Sequence, residues 1–238
     1  MRKFKVTVAV LLTVAVLIGG AYIPGLVARF LDWQTTGKSS LNSIASVKLN
    51  IYQALSSADK LAMMSKLESL LPIKESKAGM TREELMNIVH EELSPYINAQ
   101  LAVLHEDHVQ TQPYLAQVPD IPEMQRVIWQ VTISGNDADF TFWDLLIDDE
   151  TGKILRISYT AENPPGVVVG MEALQLFADI YFSGLGIEDY WDYAAPDLEY
   201  AGDNGNAIRF LFTDTRYGQI TVDLNVHDHG FYVEFPIV

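Results

Sequence analysis

The sequence predicts an α+β fold: an N-terminal transmembrane helix, a helical region, and two units in which a helix precedes an antiparallel sheet. Three observations carry this. Residues 6–28 form an uncharged, mostly apolar run behind a basic cluster. Apolar residues recur at helical spacing in two later stretches, 81–93 and 171–185. Each stretch is followed by segments in which apolar and polar residues alternate, as in half-buried strands.

The anchor comes first. Arg2, Lys3 and Lys5 precede the run, whose only mildly polar members are Thr7, Thr13 and Tyr22. As a helix it would span roughly 34 Å at about 1.5 Å per residue, enough for a hydrocarbon core of about 30 Å. The basic flank stays in the cytoplasm and the rest of the chain lies outside it. Gly19-Gly20-Ala21 also offers small residues for signal-peptide cleavage. Both readings export the remainder.

Composition narrows the class. The chain has 238 residues, 49% apolar and 20% charged, which suits a folded protein. With no cysteine, it has no disulfide, thiolate metal site or cysteine nucleophile. Its net charge is −15. From Asp120 onward there are 21 acidic against 5 basic residues. Such a surface argues against nucleic acid, whose binding rests on phosphate neutralisation.

Residues 29–79 read as a helical membrane-proximal region. Residues 32–40 form a polar linker, and 41–55 and 58–71 form helices. Ser57 or Asp59 caps the second helix and Pro72 ends it. Residues 80–163 read as the first unit. Thr81-Arg82-Glu83-Glu84 fits a capping box, Leu85, Ile88, Val89 and Leu93 form the helix stripe, and Pro95 limits it. A second short helix is expected over 98–104. Residues 110–122 hold three prolines and read as a loop. Strands follow over 127–133, 140–147 (with a bulge near Asp144) and 153–159. Asn163-Pro164-Pro165-Gly166 marks a boundary. Residues 164–238 repeat the layout: a helix around Leu174, Phe177 and Tyr181, a loop over 186–206, and strands at 208–212, 220–226 and 231–235.

The first unit resembles the PepSY family of bacterial envelope domains. The likeness rests on the 81–93 helix, the strand Trp129-Gln130-Val131, and the hairpin Asp148-Asp149-Glu150-Thr151-Gly152-Lys153-Ile154. It implies a cystatin-like shape, a helix on an antiparallel sheet. It also implies regulation or inhibition of envelope proteins such as secreted peptidases, with no shared catalytic residues.

Four groups have residue types suited to chemistry. The acidic turn 148–152 has carboxylates for a hard cation, although hairpin geometry alone accounts for Asp and Gly there. His105, Glu106, Asp107 and His108 form one histidine cluster, and His227, Asp228 and His229 another. Either has zinc-ligand residue types without a third placed ligand, and solvated loop histidines fit them as well. No serine nucleophile motif or phosphate-binding glycine loop stands out. Tyr190, Trp191, Tyr193 and Tyr200 mix aromatics with acidic residues, as partner-contact surfaces do, and packing over the sheet is the alternative.

The expected protein is therefore a single-pass, membrane-anchored, extracytoplasmic binding or regulatory protein. Its partner is an envelope protein, and the reading assigns no cofactor, metal or catalytic residue. The alternatives are a metal-dependent envelope hydrolase and a sensory or scaffold ectodomain.

Overall fold

The computed structural model describes residues 55–118, 121, 124–136, 140–165, 170–193 and 205–236. They all fall within one compact unit, Asn50–Val238. The expected anchor, the 41–55 helix except its last residue, and Tyr200 lie outside the described residues. Among the described residues no helix is long and apolar enough to cross a membrane.

The fold is α+β, with one eight-stranded antiparallel sheet. The elements in chain order are α1 (Ser57–Ser65), β1 (Ser69–Pro72), α2 (Arg82–Asn98), β2 (His108–Gln117), β3 (Arg126–Ser134), β4 (Thr141–Asp148), β5 (Ile154–Ala161), α3 (Met171–Leu185), β6 (Gly205–Asp214), β7 (Gly218–His227) and β8 (Gly230–Glu234). The sheet order is β1-β2-β3-β4-β5-β8-β7-β6. Each of α2 and α3 thus precedes a meander, and the two meanders meet through their last strands, β5 and β8. The chain leaves β5 at Asn163-Pro164-Pro165, yet the sheet continues across that point.

Register explains the core. Ile133, Trp143, Tyr159, Phe231 and Val226 are successive cross-strand partners, a single row over five strands. All five are buried. Both helices converge on this row: Tyr96 of α2 stacks on Phe231 at 5.6 Å, and Phe177 of α3 lies 4.5 Å from it. The rings bring large apolar area and specific geometry to the point where the halves join.

Several expectations change. The helix expected over 58–71 ends at Ser65, and its last residues become β1, paired with β2. Its cap is Ser56, in a capping box with Asp59. The α2 capping box forms as expected. That helix runs through Pro95 to Asn98: Pro95 gives up one intrahelical bond, and buried Tyr96 anchors the end. No helix forms over 98–104. The Val103 backbone instead accepts from Trp143 Nε1 at 3.0 Å and donates to the Tyr159 hydroxyl at 3.3 Å.

The largest correction is β2, which occupies much of the proline-rich segment expected to be a loop. Pro113 pairs in register with Trp129. Its carbonyl accepts from Ile73 N at 3.0 Å, on the β1 side. A strand residue's N and C=O point the same way, so the missing donor faces Ile73, just past the end of β1, whose carbonyl accepts from Gln112 Nε2 at 3.0 Å instead. The bulge also moves. It lies where Leu146 pairs with Arg156 and Ile147 with Ile154, leaving Leu155 as an extra residue on β5. The Leu155 carbonyl accepts from the Tyr181 hydroxyl at 2.8 Å.

Candidate functional site

The acidic turn is built into the fold. Asp149 accepts from Trp129 Nε1 at 2.7 Å, from Gly79 N at 2.5 Å and from Met80 N at 3.0 Å. One carboxylate therefore ties β3, the β4–β5 turn and the approach to α2. Asp148 is buried, and its Oδ2 accepts from the Thr151 hydroxyl at 2.6 Å. Glu150 pairs with buried Arg126. Gly152 takes φ +69°, the left-handed conformation that the turn requires. Burial pushes the nearby Lys60 ammonium below its ordinary value and Lys153 adds to this, while Asp148, Glu92 and Glu150 oppose it.

The histidine clusters are not brought together. His108 and His227 lie on one cross-strand row, through Ser134, Phe142, Thr160 and Gly230. Five inter-strand steps separate them by roughly 24 Å, about ten times a metal–nitrogen bond. His90 pairs with Glu106 near the surface. Among the described residues no three metal-ligating side chains group together.

The aromatic segment divides. Tyr190, Asp192 and their neighbours form a 3-10 turn, Tyr190–Tyr193. Tyr190 is 4% exposed, stacks on Phe182 at 4.7 Å and hydrogen-bonds to Asp179 through its hydroxyl. It is a core residue, contrary to its expected role in partner contact. Trp191 and Tyr193 are 38% and 42% exposed. Trp191 rests 5.7 Å from Phe210, and Tyr193 lies 4.8 Å from Phe212. Their rings are thus supported from beneath and open above. Beside Tyr193 lies a cleft of about 310 Å³, with Leu61, Ile187, Phe212 and Ile220 as its apolar lining.

A second concavity, which sequence reading missed, lies on the sheet face away from α2 and α3. Successive cross-strand partners place Arg209, Asp223 and Glu234 in one row, and Ala207, Asn225, Tyr232 and Ser158 in the next. Arg209 grips Asp223 through two bonds, at 2.7 and 2.6 Å. This fixes the guanidinium and raises its pKa further, with burial opposing. The β6, β7 and β8 members of these rows line a groove of about 510 Å³. The period-2 pattern of β6–β8 located these residues on one face but gave no sign that their polar side chains would enclose a space.

No family model matches the chain, and no curated protein or solved structure matches it either.

Proposed function

We propose that this is a PepSY-like, membrane-anchored extracytoplasmic protein that binds and regulates another envelope protein, a peptidase being the foremost candidate. In this reading two cystatin-like units, each a helix with its meander, are fused through β5 and β8. The observation that carries the function is the pair Trp191 and Tyr193, exposed while seated on Phe210 and Phe212. Rigid aromatic side chains beside an apolar cleft are the residues that dominate protein interfaces. Glu188, Asp189 and Asp192 surround them in sequence. The partner's contact surface is therefore apolar at its centre and basic at its rim. Among the described residues the histidines and carboxylates offer no geometry that favours the hydrolase reading.

The test is affinity capture of the tagged full-length chain from envelope extract, against a Trp191→Ala/Tyr193→Ala variant. A discrete envelope protein should be retained by the parent chain. Its retention should fall about 100-fold in the variant, the effect of losing roughly 2.7 kcal/mol at two anchors. Equal retention by both chains, or capture of nothing by either, overturns the reading. A denaturation curve for the variant within about 1 kcal/mol of the parent excludes unfolding as the cause.

A further inference from the structure

We propose that the groove on the open face of β6, β7 and β8 is a binding site for an uncharged carbohydrate. The site is independent of the aromatic edge and takes a different kind of ligand. At about 510 Å³ it falls within the size range of small-ligand sites.

Its lining decides the ligand class. Glu234 is an exposed acceptor. Asn225 Nδ2 is a shielded donor that has no partner among the described residues, an unfavourable state that a ligand oxygen relieves once the amide turns toward it. Tyr232 supplies a ring face and a hydroxyl, opposite Asn225 in register. Ala207, Asn225's partner on β6, leaves room beside the amide. A pyranose presents hydroxyls that both donate and accept around a flat C–H face, and it matches this combination of planar polar groups with one aromatic ring.

Charge and topology exclude the main competitors. Asp223 neutralises Arg209 by the two-bond grip, so Glu234 leaves the groove with a net negative charge. Phosphates and acidic sugars are disfavoured there. An extended peptide would be read by strand addition, which needs a free sheet edge. β6 is the free edge of the sheet, but a strand added there would lie beside the groove; across the groove floor β7 and β8 have partners on both sides, so recognition within it runs through side chains.

The experiment is calorimetric titration of the full-length chain in zwitterionic micelles, which carry no sugar headgroup to compete. The probes are chitotetraose, cellotetraose, tetragalacturonate and an uncharged octapeptide. At least one neutral oligosaccharide should bind with a Kd below about 1 mM. Tyr232→Ala should weaken it by about tenfold or more, and Asn225→Ala by about fivefold. Glu234→Gln, on an exposed side chain, gives a second reading if Tyr232→Ala fails to fold, and should weaken binding about threefold. Thr132→Ala, on the same sheet face in β3, should leave it unchanged. The proposal is overturned if neither neutral sugar binds, if tetragalacturonate or the peptide binds more tightly, or if the groove variants bind as the parent does.

Discussion

The two halves of the sheet use their charged residues differently. Around β3, β4 and β5, carboxylates are internal braces: Asp149 holds the Trp129 indole and two backbone amides, and Glu150 meets buried Arg126. Around β6, β7 and β8, polar groups stand on an open face. In the Arg209–Asp223 pair the guanidinium is 37% exposed and the carboxylate 16%, Glu234 is exposed, and Asn225 Nδ2 has no partner among the described residues. Conspicuous acidic residues in the first half therefore serve stability, while in the second Asp223 is held by Arg209 and Glu234 stands open. The same residue types diverge because Asp149 faces donors that the fold cannot otherwise satisfy, whereas Asp223 faces a guanidinium that water also solvates.

The seam between the halves should be the most sensitive place. Gly230, in β8, has φ +153°, and a Cβ there would stand 1.9 Å from the Tyr159 carbonyl oxygen of β5. The obstacle is backbone and cannot rotate away. Gly230→Ala should cost more than about 3 kcal/mol in a urea unfolding curve, or prevent folding outright. A midpoint equal to the parent's would mean that β5 and β8 are not held in this register, and the two meanders would then be independent.

The contrast between the halves is tested by a matched pair of substitutions. Asp149→Ala leaves an indole N–H and two amide N–H groups without their acceptor and should destabilise by about 3 kcal/mol. Asp223→Ala removes a two-bond ion pair whose guanidinium stays partly solvated and should change stability by about 1 kcal/mol. Similar losses from both, read from parallel denaturation curves, would end the distinction between bracing and spare carboxylates.

What was legible in the sequence follows the range of the interactions. The α2 capping box, the α3 stripe and the β3, β6 and β7 alternations are set by residues within a few positions of one another, and they could be read directly. Trp129 and the acidic turn were visible as landmarks, but the hydrogen bond joining them spans 20 residues and depends on the register of β3 and β4. Strand β2 was hidden because proline is a local strand breaker. Pro113 is tolerated because it pairs beyond the end of β1, about 40 residues earlier, where the Gln112 side chain supplies the Ile73 carbonyl with the donor that proline lacks. The groove was hidden for a similar reason. Arg209, Asp223 and Glu234 become neighbours only when three strands are paired. Among the aromatic residues, composition did not distinguish buried Tyr190 from exposed Trp191, because what separates them is which side of a single 3-10 turn faces Phe182.

The second half has a brace of its own, away from the groove lining, and pH should reveal it. Asp59 of α1 accepts from the Ser56 amide at 2.9 Å and the Tyr217 hydroxyl at 2.6 Å, and Arg216 lies 3.0 Å away. These contacts tie α1 to the short turn between β6 and β7. Burial works to raise the Asp59 carboxyl, but the bonds from Ser56 and Tyr217, with Arg216, outweigh it and hold it below its ordinary 3.8. Its folded pKa is thus depressed, so its contribution is present above the unfolded value and is lost as pH falls from about 4 through the folded pKa. Burial, and then the bond to Asp59, pushes the Tyr217 phenol up to about 12. A raised pKa gives the opposite sense: that contribution is complete below pH 10 and disappears between pH 10 and about 12. Asp59→Asn should flatten the acid limb of a stability–pH curve and shift phenolate formation at Tyr217 part of the way back toward 10, the part due to burial remaining. The effect should be smaller than that of Asp149→Ala, because Tyr217 can turn to water when its acceptor is lost. If the acid limb and the phenol titration are both unchanged, α1 is not fastened to the β6–β7 turn through Asp59, and the second half has no counterpart to the brace at Asp149.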